Sequence, residues 1–178
     1  EFRRVLFRSG IMPVGTPAAV SARRNDESPT GGIAEAVASL APAGGVVHVP
    51  AGAYALRTTV HLPSRVRLLG DGVATVLHIA AVQQVALARD ADVGARVIEL
   101  ADNHPFGPGD AIGLTDGTNA GWWGTHTTVA SVDGAKVELA GEVTRALSTE
   151  LGASAVNLFP AIQADNAADV EVADLTIH

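Results

Sequence analysis

Residues 44–56, "GGVVHVPAGAYAL", set a four-residue apolar strand, a Pro-Ala-Gly turn and a second strand in immediate succession. The texture then repeats. "TTVHLPSRVRLLGDG" (58–72) reads strand, Pro-Ser turn, strand, Gly-Asp-Gly turn, and "ATVLHIA" (74–80) adds another short apolar run. Val47 and Val49, Tyr54 and Leu56, Val60 and Leu62, and Val66 and Leu68 alternate with the period of two that marks strands. The turns fall at Pro50-Ala51-Gly52, Pro63-Ser64 and Gly70-Asp71-Gly72. Strands this short cannot bury both faces in an isolated meander. Stacked as coils of a solenoid, they pair with the coils above and below, and their inward residues fill one continuous core.

One helix precedes the first coil. Thr30 is placed to cap "GGIAEAVASLA" (31–41), where Ile33, Val37, Leu40 and Ala41 share a face, and Pro42 with Gly44-Gly45 ends it. The open end of a solenoid exposes backbone donors and apolar side chains, and an amphipathic helix at that point suits it as a lid. The stretch from 25 to 77 combines an Asn25-Asp26 start, this helix, Gly44-Gly45 before the strand, "VPAGAY" and "LPSRVRLLGDG". In these features it resembles the N-terminal segment of the pectate-lyase-like right-handed parallel β-helix superfamily, with residues 153–178 resembling it more loosely. The resemblance implies an all-β fold: a right-handed parallel β-helix with an N-terminal capping helix. It also implies a secreted protein, extracellular or periplasmic, that acts on or binds polysaccharide. The function expected on this basis is an N-terminal fragment of a lyase or glycoside hydrolase whose catalytic coils follow His178. The alternative is a noncatalytic adhesin or carbohydrate-binding surface or tail protein. Calcium is compatible with a full-length member; no cofactor or metal is expected from the residues present.

Between 96 and 152 the pattern changes. "ARVIELADNHPFGPGDAIGLTDG" gives two strands around a Pro/Gly turn, and "THTTVASVDGAKVELAG" is a hairpin signal centred on Asp133-Gly134. We read an antiparallel β insert over 96–152, after coils at 30–95 and a leader segment at 10–29. From 153 to 178 the solenoid texture resumes, with Val170, Val172, Leu175 and Ile177 inward, and stops in mid-coil. Residues 1–9, "EFRRVLFRS", resemble a translated sequencing adaptor and are expected to lie outside the packed body. With those nine set aside, nine basic and eighteen acidic residues leave a net charge of −9, against −7 for the whole chain. So acidic a chain, with Lys136 its one lysine, is a poor partner for nucleic acid. No apolar run reaches the ~18 residues that span a membrane. The absence of cysteine removes disulfides and thiolate metal sites.

The chemistry-bearing residues are few. Asp90, Asp92 and Asp102 lack the Gly turn and later Glu of a calcium loop and read as turn acids. Asp71, Asp110 and Asp133 each adjoin Gly, as turn chemistry favours, and Asp165, Asp169 and Asp174 read as turns between coils. The six histidines form no His-Glu-x-x-His and no i, i+4 pair; His48, His61 and His78 suit an outward ladder on stacked strands. The best candidate is "DGTNAGWWGTHTT" (116–128), where Trp122 and Trp123 sit between Gly121 and Gly124. Indole faces stack on sugar rings, while Asp116, Asn119, Thr125 and His126 can meet hydroxyls; adjacent strand residues face opposite ways, so one indole is expected to be free.

Overall fold

The computed structural model describes residues 18–101, 103–118 and 124–178, and the backbone of 4–7. They divide into two units: the described residues up to Ile79 together with Pro160–His178, and Ala80–Phe159. The first unit opens with β1 (Arg4–Phe7), β2 (Ala19–Ser21) and helix α1 (Ile33–Leu40). It continues with β3 (Gly45–Val49), β4 (Gly52–Leu56), β5 (Val60–His61), β6 (Val66–Gly70) and β7 (Thr75–Ile79). The second unit holds β8 (Gln84–Ala86), β9 (Val97–Glu99), β10 (Ala111–Thr115), β11 (Gly124–Asp133), β12 (Lys136–Leu139) and β13 (Ser154–Val156). The chain then returns to the first unit through β14 (Ile162–Gln163), β15 (Val170–Ala173) and β16 (Thr176–Ile177).

In the first unit the repeated strands form three ladders of parallel neighbours: β2-β3-β6-β15, β4-β7-β16 and β5-β14. Register places like on like. Val20, Val47, Leu68 and Val172 stack in one ladder, Tyr54, Leu77 and Ile177 in the second, and Val60 lies on Ile162 in the third. Val47, Leu68, Leu77 and Val60 are wholly buried, each contributing roughly 1.5–3 kcal/mol by leaving water. α1 lies against β2, β3 and β5 and buries Ile33, Val37 and Leu40. Its Thr30 is buried and its hydroxyl accepts the Ala34 N–H at 3.1 Å, although Gly32 is the residue that turns the chain into the helix.

One corner repeats at three levels. Gly44, Arg65 and Asp169, each immediately before a strand of the first ladder, have φ of 78°, 66° and 58°. Their backbones link the levels: the Gly45 N–H donates to the Arg65 carbonyl at 2.9 Å and the Arg65 N–H to that of Ala168 at 2.8 Å. At Gly44 a side chain is excluded twice, by its φ and because a Cβ would lie 2.5 Å from the Arg65 oxygen. His48, His61 and His78 belong to three different ladders, so they form no common column.

Two expectations are corrected here. Residues 4–7 do not stand apart from the fold: β1 pairs antiparallel with β15, Arg4 opposite Ala173 and Phe7 opposite Val170. The flank of β15 turned away from β6 carries backbone donors and acceptors that any extended segment can meet. The antiparallel region is also wider than 96–152, and 153–156 do not resume the parallel ladders. β13 lies between β8 and β10 in the antiparallel sheet β8-β13-β10-β11-β12-β9, and parallel pairing restarts only at β14. Ala155 is fully buried among Leu87, Leu100, Ile112 and Leu114, so this short apolar run has its own core to fill. The β11–β12 hairpin turns at Gly134, with φ of 59°, and pairs Asp133 with Lys136; the sheet's register shifts between Val129 and Ser131.

Candidate functional site

β10 and β11 run antiparallel and end their pairing at Thr115 opposite Gly124. The segment 116–123 joins them, so the tryptophan-bearing loop closes this pair of strands. Trp122, Trp123 and Asn119 lie outside the described residues. Leu114 and Thr125 form one inward pair and Gly113 and His126 the adjacent outward pair.

Asp116 follows Leu114 by two residues and is buried like it. One carboxylate oxygen accepts the Thr118 N–H at 2.8 Å and the other the Ser148 N–H at 3.3 Å. Hydrogen bonding by Thr118 holds its acidity below the ordinary Asp range, with the Ser148 N–H and the charge of Arg145 acting in the same direction. This differs from the sugar-hydroxyl role expected for Asp116: the carboxylate fixes the start of the loop and ties it to the 148 segment. Thr125 is likewise committed, its hydroxyl bonded to Thr144 at 2.9 Å and accepting the Thr144 N–H.

His126 is exposed and lies over Gly113, where a Cβ would come within 3.3 Å of its Nδ1. The cross-strand row through this pair reads Gln84, Val156, Gly113, His126, and the next row reads Ala86, Ser154, Thr115, Gly124. The Gln84 amide donates to the Ser154 hydroxyl at 2.8 Å. This face of the sheet is therefore low and mixed, with Gln84 and His126 as its exposed polar side chains, and it ends where the loop begins. The structure places His126 outward and Asp116 inward; it does not bring them together.

Several of the remaining acids have local roles in turns and loops. Asp90 accepts both the N–H and the hydroxyl of Thr149, at 2.7 and 2.6 Å, which lower its pKa. Asp110 accepts the Gly107 N–H, Asp165 accepts the Gln163 amide, and Asp169 and Asp174 occupy left-handed corners. Asp102 lies outside the described residues. Among the described residues no group of three His, Asp or Glu could hold a metal ion, and no helix is long and apolar enough to cross a membrane.

Turn chemistry alone does not describe Asp71. Its Oδ1 meets His48 Nε2 at 2.8 Å and its Oδ2 accepts the Ala51 N–H at 2.8 Å; the His48 bond, then the Ala51 bond, hold its pKa below the ordinary value. On the far side of the ring, His48 Nδ1 meets the Ser21 hydroxyl at 3.2 Å. The sequence signal for this trio is only the parallel register, which makes Ser21 and His48 direct neighbours 27 residues apart.

No family model and no curated protein sequence matches this chain. Among solved structures it is similar to the tailspike gp61 of Pseudomonas phage phi297, at 20% identity and a TM-score of 0.42, over 83% of this chain and 28% of that one. It is also similar to the Gp54 tailspike of Acinetobacter baumannii bacteriophage AP22, a structure in complex with A. baumannii capsular saccharide. That likeness is at 17% identity and a TM-score of 0.40, over 68% of this chain and 23% of that one. The tailspike gp49 of Pseudomonas phage LKA1 gives 20% identity and a TM-score of 0.37, over 75% and 26%. The chain spans about a quarter of the length of these tailspikes.

Proposed function

We propose that this chain is part of a carbohydrate-binding β-helix protein of the surface or tail type, working in the extracellular or periplasmic space. The parallel ladders are the coils of a right-handed β-helix, and the antiparallel unit is the recognition element. The observation that carries the reading is the buried Asp116 carboxylate. It anchors a loop containing both tryptophans of the chain at the end of the low, mixed face bearing His126 and Gln84. A loop rich in aromatic, Thr and Asn residues next to exposed polar side chains is a composition that suits a polysaccharide, whose rings offer apolar faces and whose hydroxyls need hydrogen-bond partners. Within this chain Asp90, Asp110, Asp116 and Asp165 accept hydrogen bonds that shape its turns and loops.

The test is a pair of variants, Trp122→Ala and Trp123→Ala, assayed for melting and for binding to acidic and neutral polysaccharides. Loss of a stacking ring should weaken binding by about 1–3 kcal/mol, by analogy with aromatic stacking on bases, with the sheet still folded. Unchanged binding in both variants, accompanied by a stability loss of about 3–5 kcal/mol typical of a buried Trp, would overturn the reading.

A further inference from the structure

We propose that Ser21, His48 and Asp71 form a hydrolytic site for carboxylic esters of small acyl groups, with Ser21 as nucleophile and His48 as general base. The three side chains come from successive levels of the first ladder: Ser21 ends β2, His48 lies opposite it in β3, and Asp71 follows β6. Asp71 Oδ1 lies 2.8 Å from His48 Nε2 and the Ser21 hydroxyl 3.2 Å from Nδ1, so in the neutral ring that donates Nε2–H to Asp71, Nδ1 is the nitrogen that accepts from Ser21. This is the chain of roles that activates a serine, with the two ring nitrogens exchanged relative to the usual hydrolase arrangement; imidazole can take and return a proton at either one.

The trio is held in place. The Ala51 N–H fixes the second oxygen of Asp71, and the Ala22 N–H donates to the His48 carbonyl at 2.8 Å, locking Ser21 and His48 in register. About half exposed, the His48–Asp71 pair adds little to stability, yet it fixes the ring's tautomer. Ser21 also lines a cavity of about 340 Å³ with Arg23, Asn25, Glu35 and Ser39, within the range of small-ligand pockets.

Ser21 Oγ attacks the ester carbonyl carbon while its proton passes to His48 Nδ1, and the imidazolium is stabilised by Asp71. The ester C–O bond breaks as the leaving alcohol takes that proton. Water then attacks the acyl-serine, losing its proton to His48 and returning Ser21 its hydroxyl proton, so one ester and one water become an alcohol and a carboxylic acid. Arg23, in the same cavity, is the cation available to the carbonyl oxygen. None of these steps depends on the saccharide reading.

The full chain is treated with a fluorophosphonate probe and mapped by mass spectrometry, and p-nitrophenyl acetate hydrolysis is followed in parallel. The probe should add to Ser21 in preference to the other serines. Ser21→Ala and His48→Asn should each lower hydrolysis about 10²–10⁴-fold without lowering the melting temperature. Asp71→Asn, at a positioning residue, should slow probe addition while Ser21 remains the labelled site. Wild-type protein that is folded but not labelled at Ser21, or hydrolysis unchanged in Ser21→Ala, overturns the proposal; neither assay contains a sugar, so either failure leaves polysaccharide binding to its own test.

Discussion

The two units solve the problem of short strands in opposite ways. In the parallel ladders a strand's partner lies a whole level away in sequence, as with β3 and β6, and corresponding apolar residues are superposed. In the antiparallel unit β11 and β12 meet across a tight hairpin, and one sheet carries a buried and a solvated face. The difference governs where polar residues gather. A ladder brings together groups from separate levels, as with Ser21, His48 and Asp71, whereas the hairpin sheet gathers residues from neighbouring strands, as with His126 and Gly113. Long-range pairing supplies such juxtapositions in both units, as the Gln84–Ser154 bond between β8 and β13 shows for the antiparallel one; what the ladder adds is their regular repeat from level to level.

The largest expected effect tests whether the units also unfold separately. Leu68 is wholly buried, between Val47 and Val172 in the ladder, so Leu68→Ala should cost about 2–5 kcal/mol. Hydrogen exchange should rise over 45–79 and stay unchanged in 80–159; equal acceleration in both would break the comparison.

A smaller effect contrasts their turns. Gly44→Ala meets both an unfavourable φ and the Arg65 carbonyl, whereas a Cβ at Gly134, also at positive φ, meets nothing within 4 Å. Chemical denaturation should give a loss of roughly 1–2 kcal/mol for Gly134→Ala, the left-handed conformational cost alone, and a clearly larger one for Gly44→Ala. Equal losses would mean that the parallel corner relaxes as readily as the hairpin.

The smallest concerns Asp116. Asp116→Asn should cost about 1 kcal/mol near neutral pH, since the amide replaces one of the two acceptor oxygens. Because the folded pKa is depressed, the wild-type carboxylate's stabilisation is present above its unfolded value near 4 and is lost as pH falls through the lower folded value. Melting of the two proteins should therefore converge as pH drops below about 4, and a gap that widens instead would contradict the role of the loop anchor.

Much of the first unit is legible from Val47, Leu68, Leu77 and the intervening turns, because period-two alternation and Gly/Pro punctuation are local signals. Helix α1 is legible from the helical spacing of Ile33, Val37 and Leu40, whereas its ends are not: Gly32 rather than Thr30 is the N-cap, and Ala41 lies beyond the helix and is exposed. β13 is not, because "SAV" suits either kind of sheet and only the tertiary partners β8 and β10 decide. The inward direction of Asp116 follows from the parity of β10, which needs Leu114 to be known as core. The Ser21–His48–Asp71 contact depends on register between levels, which no short window of sequence contains.

The position of β14 bears on how such a chain can vary. β4 and β5 are joined by residues 57–59, while at the next level residues 80–161 join β7 to β14, which are aligned on those same two strands. A three-residue bridge and a whole antiparallel unit therefore occupy equivalent connections. The same pair of aligned strands is thus compatible with a short link at one level and an inserted unit at the next, which marks this connection as the place where length varies while the residues that hold the levels together stay in register.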